Sequence, residues 1–514
     1  MKPEISCSQC SPQIQKKSIV FNLSSKKVIN NLKLFIIFIS SILYVLSFSP
    51  FDYKLLIFIS MISMFYVLDN SLSRNRIKYI FAFSILVHLI GVSWISESLI
   101  TYGSINYVIS YTITFLLITI ISLPYIIIGI FYKSILGNNF VNILFVSSLF
   151  VIAEYVKSLF FGGFSWLLLG QSQNQTVFDF IYPIFGSTAV SYIIVLISAI
   201  VYKSIIDKTK TYSSVSLVLL LSYFAMPSGT PFNYNNSETL SYTIYQPNIY
   251  PNETYDKKEQ TRIIKKYNTI LDNNRSSNII IFPETILPIP FRKNSLLYDS
   301  FQSSTHKDNV LISGLFTSSK SDVYNSMVSF SDTIQVYNKR KLVPFGEYTP
   351  WYDSLFELSK VLNIPLSNIS HGERKHKNIS LADIDVIPMI CFESTSSSLI
   401  QSQSNNEVII NISNDGWFGH TLAPYQHLQI TQIRALEFNR FILRGTNTGI
   451  SAVIDNHGHI LDSLGNDSEG ILKGEIPIKL DRSLYSQYGD IWILMLIFLS
   501  LLANVFNKAV RNYE

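Results

Sequence analysis

The sequence predicts a polytopic helical membrane domain joined to an α/β domain. The 514-residue chain is 48% hydrophobic, but this apolar content is unevenly distributed. Before about residue 228, membrane-length apolar stretches follow one another closely, whereas from there to about residue 489 short apolar runs alternate with charged residues, Asn and Pro. Because a chain of this length is long enough for more than one domain, we treat the two regions separately.

Eight apolar stretches come close to the roughly 20 residues that a helix needs to cross a bilayer. No small-residue cleavage site follows the first of them, so we interpret it as a permanent span rather than a signal peptide. Seven spans therefore form a membrane domain over residues 31–227, and one more span follows the polar region. The predicted spans cover residues 31–49, 54–69, 78–97, 106–132, 141–160, 184–206, 212–227 and 490–507.

The distribution of Lys and Arg predicts the orientation of these spans. Basic residues precede the first span and follow the second, the sixth and the last. The loops near residues 50–53 and 98–105 contain none, apart from Lys54 at the edge of a span. The positive-inside rule then places the two tails, residues 1–30 and 508–514, in the cytoplasm. The polar domain, residues 228–489, is expected on the opposite side of the membrane.

Composition argues against nucleic-acid and metal binding. The formal net charge is +5, without a block of consecutive Lys and Arg interleaved with aromatic residues. Cys7 and Cys10 form a lone pair that lacks a second Cys or His pair, which makes a poor zinc site. His457 and His459 are interpreted as part of a turn between strands. Cys391, the third cysteine, is either a small buried hydrophobe or a working thiol.

The polar domain has the pattern of sheets covered by helices. Helices are expected at residues 257–272 and 425–441; in the second, Leu428, Ile433, Leu436 and Phe441 would share one face, with charges opposite. Short β-branched runs predict the strands. These runs are Ser241–Tyr245, Asn278–Phe282, Val310–Leu315, Ser326–Phe330, Thr333–Tyr337, Asp385–Cys391, Val408–Ile412 and Gly449–Ile454.

Three of these strands end in residues suited to acyl chemistry: Glu284, Lys339 and Cys391. Each residue alone has a structural interpretation, as a helix cap, a solvated charge or a core thiol respectively. A sheet, however, brings together residues that are distant in sequence. A thiol needs a nearby base or cation to ionise at neutral pH, and this set supplies both. The coincidence of all three favours a catalytic trio.

The residues around the trio resemble the Glu-Lys-Cys pattern of the nitrilase superfamily. Longer strings are similar to the apolipoprotein N-acyltransferase family, and the resemblance extends over nearly the whole chain. The strings are Phe282-Pro283-Glu284-Thr285, the stretch from Tyr337 to Pro350, Ile390-Cys391-Phe392-Glu393, Asn414-Asp415-Gly416-Trp417-Phe418, Gly163-Phe164-Ser165-Trp166 and Gly170-Gln171-Ser172-Gln173.

The resemblance implies a nitrilase-like αββα sandwich in the polar domain and a multi-pass enzyme of the bacterial inner membrane with its catalytic domain on the periplasmic face. It implies that Cys391 takes an acyl chain from a membrane phospholipid as a thioester. The chain would then pass to the α-amino group of the S-diacylglyceryl cysteine that begins a lipoprotein, a ping-pong reaction. No cofactor is expected, and a monomer is expected.

The resemblance also implies roles for the trio and its neighbours. Glu284 would be the general base, while Lys339 and the backbone N–H of Phe392 would stabilise the oxyanion. Glu347 would orient Lys339 or contact the reacting carbonyl, and Glu393 would brace the nucleophile loop.

Three aromatic residues are further candidates. Trp417 and Phe418 would guard the pocket or pack beneath it, and Tyr255 would bind substrate. Tyr255 and Phe392 depart from the family pattern, where Trp and Tyr are usual, and Ser165 replaces a Pro.

Other interpretations remain open on sequence alone. The same trio serves a membrane-anchored hydrolase if water accepts the acyl group. A transporter or scaffold is a third possibility, although the spans contain few charges and no evident inverted repeat. Glu154 and Lys157, inside the fifth span, are either a functional ionisable pair or an internal pair that fixes the helix.

Overall fold

A computed structural model describes residues 12–513, with gaps. For residues 12–27, 257, 296 and 511–513 only the backbone is described. Cys7, Cys10, Tyr255 and the predicted span at 212–227 lie outside the described residues. The gaps are residues 102, 104, 137–139, 160–162, 209–237, 251–256, 288–290, 292–295, 304, 306–308, 320–321, 350–367, 374–378, 382–383, 404 and 479.

The membrane domain consists of apolar helices, which confirms this part of the predicted fold. Within the described residues, six helices are long and apolar enough to cross a bilayer. The first and last belong to longer helices, Pro12–Val45 and Ile491–Tyr513. The six apolar stretches are Val28–Val45, Ser73–Val92, Tyr107–Phe131, Phe140–Lys157, Tyr182–Asp207 and Ile491–Val510.

Several membrane helices differ from simple spans. The stretch predicted at 54–69 is the helix Leu56–Asp69, whose 14 residues fall short of the usual crossing length. Tyr107–Ser122 continues through a 3₁₀ turn, Leu123–Tyr125, into Ile126–Phe131, because Pro124 cannot donate an α-helical hydrogen bond. The described part of the domain also contains shorter elements: the helix Ile95–Thr101 and the 3₁₀ turns Leu169–Gln173 and Val177–Phe180.

Within its described residues, the polar domain contains two six-stranded sheets. The first has the order β12-β1-β2-β3-β4-β5 and the second β11-β10-β9-β8-β7-β6. The strands are β1 Thr239–Gln246, β2 Ile279–Ile281, β3 Val310–Ser319, β4 Asp322–Phe330, β5 Ile334–Asn338, β6 Ile379–Leu381, β7 Ile384–Ile390, β8 Val408–Ser413, β9 Ile442–Thr446, β10 Ser451–Ile454, β11 Ile460–Leu464 and β12 Gly470–Pro477.

The two sheets pack face to face with helices on their outer sides, which is the predicted αββα sandwich. In β2, Ile279 and Ile281 join the core between the sheets, while Ile280 faces the helices outside. Because successive side chains in a strand point to opposite faces, a continuous apolar run is what a strand covered on both sides requires. The α-helices among the described residues of this domain are Lys257–Asn273, Leu296–Ser303, Ser397–Gln401, Ala423–Phe438 and Leu484–Tyr488.

The helix Ala423–Phe438 lies between the second sheet and the membrane domain. Leu428 and Phe438 pack with the sheet, whereas Ile433 and Leu436 belong to the membrane-domain core. The prediction of one apolar face with charges opposite was therefore wrong, because nearly every residue of this helix is buried. The helix also ends before Phe441, which packs between the sheets at the start of β9.

Candidate active site

Glu284 lies just beyond the end of β2, in a turn that passes close to β3. The turn is held by the Gly314 N–H, which donates to the Pro283 carbonyl over 3.0 Å. A Cβ at Gly314 would lie 2.4 Å from the Glu284 Cα, so this approach requires glycine. Thr285 adopts a φ of 50°, which is uncommon outside glycine. The carboxyl of Glu284 is thereby directed into a buried site.

Lys339 lies directly after β5, the outermost strand of the sheet that also contains β2. Its Nζ lies 3.2 Å from Oε1 of Glu284 and 2.9 Å from Oε1 of Glu347. Burial disfavours the charge of Lys339, but the carboxylates of Glu284 and then Glu347 outweigh burial and raise the pKa of the ammonium group. Lys339 therefore stays protonated throughout the physiological pH range.

Cys391 is the first residue after β7, on the other sheet. It adopts a φ of 49°, in the left-handed region, and a 3₁₀ turn, Cys391–Thr395, begins there. Such a conformation costs about 1–3 kcal/mol and is concentrated at functional sites. Burial, and next the charge of Glu284, raise the pKa of the thiol, although Lys339 opposes this effect. The resting nucleophile candidate is a neutral thiol.

An asparagine that the sequence did not single out joins the two carboxylates. Asn325, on β4, donates one amide hydrogen to Oε1 of Glu284 and the other to Oε1 of Glu347, both over 2.7 Å. Oε2 of Glu284 accepts the backbone N–H of Asn414 over 2.9 Å. Glu284 is therefore held by an amide, an ammonium and a backbone donor, which together fix its orientation. Asn325 can be recognised as part of the candidate site only from the structure, where its place in β4 brings it close to Lys339.

Glu347 reaches Lys339 from the loop that follows it. Its Oε2 accepts the Val343 N–H over 2.8 Å, while Oε1 holds Lys339 and Asn325. This is the arrangement that an orienting role for Glu347 requires.

Comparisons with known proteins match both halves of the chain. The family model described as the apolipoprotein N-acyltransferase N-terminal domain matches residues 40–200, and the carbon-nitrogen hydrolase model matches residues 243–484. The chain thus contains the N-terminal domain of the apolipoprotein N-acyltransferase family, followed by a carbon-nitrogen hydrolase domain. Acyltransferase chemistry, membership of the nitrilase superfamily and transmembrane character follow from these matches.

Curated relatives match over nearly their whole length. The apolipoprotein N-acyltransferase of Haemophilus influenzae is 28% identical over 488 residues, which cover 90% of this chain and 93% of the relative. That of Pasteurella multocida is 25% identical over 503 residues, covering 93% and 96%. Among solved structures, a carbon-nitrogen hydrolase superfamily protein of Xanthomonas campestris is 13% identical, with a TM-score of 0.36, over 46% of this chain and 91% of that one.

Glu393, the second acidic residue of the family string at the nucleophile, connects the two sheets. Its Oε1 accepts the Tyr337 hydroxyl at 2.8 Å and the Arg340 and Lys341 N–H groups at 2.7 and 3.1 Å. Its Oε2 accepts the Ile390 N–H at 2.9 Å. Glu393 thus ties the segment around Lys339 to the residue before Cys391, as the bracing hypothesis requires.

Three aromatic candidates of the family pattern lie at the boundary with the membrane domain. Phe392 packs against the membrane-domain core, and the Nζ of Lys341 lies 4.8 Å from its ring centroid. Phe418 packs edge-to-face on Trp94 at 4.8 Å. Trp417 is 43% exposed, and its carbonyl accepts the Ser98 hydroxyl. Of the two roles considered for Trp417 and Phe418, packing describes the contacts of Phe418, while the guarding role of the exposed Trp417 stays a prediction.

Glu154 and Lys157 lie away from the trio, inside the membrane domain. Lys157 donates to the Trp166 carbonyl over 2.7 Å and contacts His88, while Glu154 accepts the Leu169 N–H over 2.6 Å. Both side chains therefore hold the segment that contains the Gly-Phe-Ser-Trp string. Their contacts are those of an internal pair that fixes local structure.

Sequence reasoning also missed a polar cluster beneath Cys391. His427, Asp415 and Arg444 are all buried, on the Ala423–Phe438 helix, in the turn after β8 and on β9 respectively. In the sequence, Asp415 belongs to a string whose aromatic residues are the candidates, and His427 lies in a stretch with the pattern of an amphipathic helix. The available signal for this cluster was the presence of charged residues within or next to strongly apolar helices and strands.

Proposed function

We propose that this protein transfers an acyl chain from a membrane phospholipid, through a thioester on Cys391, to the α-amino group of the S-diacylglyceryl cysteine at a lipoprotein N-terminus. The observation that supports the proposal is a buried group of Glu284, Lys339 and Cys391 beside the membrane domain. Phe392, adjacent to Cys391, packs on the membrane-domain core. An ester at the bilayer surface would reach such a thiol without leaving the membrane.

In the first half-reaction the Cys391 thiol gives its proton to Glu284 and the thiolate sulfur attacks the ester carbonyl carbon. The ammonium of Lys339 and the Phe392 N–H stabilise the oxyanion. The tetrahedral intermediate collapses by breaking the carbon–oxygen ester bond. The departing glycerol oxygen takes the proton back from Glu284, which leaves a lysophospholipid and a thioester enzyme.

The charges of the site favour this proton transfer. Moving the proton from Cys391 to Glu284 exchanges a carboxylate for a thiolate and leaves the net charge of the buried group unchanged. Lys339 stays cationic beside both, so no uncompensated charge is created in a low-dielectric site. The raised pKa of the thiol, which Glu284 helps to cause, suits a nucleophile that ionises only when that carboxylate accepts its proton.

In the second half-reaction the lipoprotein amine attacks the thioester carbonyl. Glu284 accepts a proton from the attacking nitrogen, and collapse breaks the carbon–sulfur bond. The thiolate of Cys391 then regains that proton, while the product leaves as an amide. The thioester already retains the activation that amide formation requires, so the reaction consumes no nucleotide.

We further propose that the protein resides in a bacterial inner membrane with the trio on the periplasmic face. The asymmetric distribution of Lys and Arg around the spans supports this orientation. Periplasmic placement would put the site on the side where lipoprotein N-termini are exposed after export.

The proposal is tested by incubating the purified protein with phospholipid labelled in its acyl chain and a diacylated lipopeptide. We expect label to appear in N-acylated lipopeptide, together with lysophospholipid in equal amount. Release of labelled fatty acid without acylated peptide would instead establish the hydrolase alternative. A Cys391→Ser variant serves as the control, because an alcohol without thiolate chemistry should give neither product.

A further inference from the structure

Ser413 lies beside the nucleophile candidate on the neighbouring strand. The parallel strands β7 and β8 pair Ile390 with Ile412, so the next residues, Cys391 and Ser413, are neighbours at the strand ends. Ser413 is fully buried, and its hydroxyl donates to Oδ1 of Asp415 over 2.8 Å. A buried hydroxyl is thus available next to the sulfur.

Asp415 connects this hydroxyl to the backbone of Cys391. Its Oδ1 also lies 2.9 Å from Nδ1 of His427, and Nε2 of His427 lies 3.2 Å from the Cys391 carbonyl oxygen. Nε2 also contacts the Ser394 hydroxyl at 2.9 Å. The cluster therefore approaches Cys391 from two sides, at its sulfur through Ser413 and at its carbonyl through His427.

Arg444 keeps Asp415 ionised at the centre of the cluster. Its guanidinium lies 2.7 Å from Oδ2 of Asp415 and also donates to the Asn411 side chain. Burial alone would raise the pKa of Asp415, but the charge of Arg444, together with His427 and the Ser413 hydrogen bond, outweighs burial and holds the pKa below its ordinary value. Two fully buried charges are kept together only when paired and hydrogen-bonded, and each of these has several partners.

We propose that Ser413 is a positioning residue that turns its hydroxyl hydrogen from Asp415 to the Cys391 sulfur when the thiolate forms, while the Asp415–His427 pair holds the strained backbone of Cys391. The proposal rests on the proposed function only in taking Cys391 as the nucleophile. The thiol proton itself still goes to Glu284.

The physical reason is that a hydroxyl has one hydrogen and two possible acceptors. While the thiol is neutral, Asp415 is the better acceptor. Once the thiolate forms, the sulfur needs a donor, and Asp415 retains Arg444 and His427. The charged groups that face Cys391 are Glu284 and Asp415, which disfavour the thiolate, and Lys339, which favours it.

The test measures the alkylation rate of Cys391 by iodoacetamide as a function of pH, in the full-length protein with Cys7 and Cys10 changed to Ser. In Ser413→Ala we expect the alkylation rate at pH 8 to fall about tenfold, because the thiolate loses one hydrogen bond to a charged group. We also expect the pH profile of the rate to be displaced to higher pH. Ser413→Thr should restore the rate. Ser329→Ala, which removes a buried hydroxyl on β4 with no hydrogen-bond partner among the described residues, should leave it unchanged.

An unchanged pH profile in Ser413→Ala would overturn the proposal. If that variant does not fold, the isosteric pair Ser413→Thr and Ser413→Val decides, because the two side chains differ by the hydroxyl; equal alkylation profiles would then overturn it. Alkylation needs no turnover, so this result is independent of the proposed function. Full acyl transfer by Cys391→Ser would refute the nucleophile assignment instead.

Discussion

Trp166 donates its indole N–H to Oε1 of Gln426 over 2.7 Å. This hydrogen bond joins the Gly-Phe-Ser-Trp segment of the membrane domain to the helix that carries His427. The same oxygen accepts the indole N–H of Trp94 at 3.3 Å, and Nε2 of Gln426 donates to the Gly91 carbonyl. One buried carboxamide therefore anchors the polar domain to two membrane-domain tryptophans, on the helix whose His427 contacts the Cys391 carbonyl.

Replacing Gln426 with Leu should destabilise the protein. The change leaves two buried indole N–H groups without their acceptor, at a cost of about 1–3 kcal/mol for each unsatisfied group. We expect a clearly lower midpoint of thermal unfolding in detergent. The matched control is Gln302→Leu, which removes one hydrogen bond from a half-buried glutamine of the catalytic domain. Equal unfolding midpoints for Gln426→Leu and the control would contradict the anchoring role.

Replacing Lys339 with Met should prevent formation of the acyl-enzyme. The change removes the cation between Glu284 and Glu347, and with it the proposed donor to the oxyanion; the loss of such a donor typically lowers kcat by about 100-fold or more. Single-turnover release of lysophospholipid measures this step. Lys473→Met, at an exposed lysine of β12, should release lysophospholipid at the wild-type rate. A wild-type rate of lysophospholipid release in Lys339→Met would show that Lys339 has only a structural role.

The stability contributed by Lys341 should depend on pH. Burial, and then the charge of Arg434, lower the pKa of Lys341 from 10.5 to about 8. Folding therefore penalises its charged form, fully below about pH 8, and the penalty fades as the pH rises toward 10.5. We expect Lys341→Met to gain stability relative to the wild type most strongly at pH 7, with the difference shrinking by pH 10.

Thermal unfolding at both pH values checks this expectation. Lys473→Met again serves as the control, because this lysine is exposed and its replacement removes no buried charge. A difference between Lys341→Met and the wild type that stays constant from pH 7 to pH 10 would show that Lys341 is not penalised by folding.

Periodicity made the layers of this fold predictable from sequence. All eight predicted strands are present in the structure, because each coincides with a run of β-branched residues. β6, β9, β11 and β12 were missed. The run Ile379–Leu381 is only three residues long, and Ile442–Thr446 follows a helical pattern without a break. In β11 and β12 most side chains are exposed or partly exposed, so their apolar signal is weak.

The proximity of Glu284, Lys339 and Cys391 could be predicted because each residue follows the end of a strand, whereas their supporting contacts could not. Asn325 and Ser413 lie within β4 and β8 and look like ordinary polar residues in the sequence. Their importance depends on which strands pair, and hence on register. The burial of His427 depends on the membrane domain covering the Ala423–Phe438 helix, a contact between regions more than 200 residues apart that no local pattern reports.

The most direct test of the account is mass spectrometry of Cys391 after incubation with phospholipid alone. We predict one acyl group on the Cys391 peptide, released by neutral hydroxylamine as a thioester should be. Adding a diacylated lipopeptide should remove the adduct and yield N-acylated peptide in equal amount. An unmodified Cys391 peptide in protein that still acylates the lipopeptide would contradict the thioester mechanism.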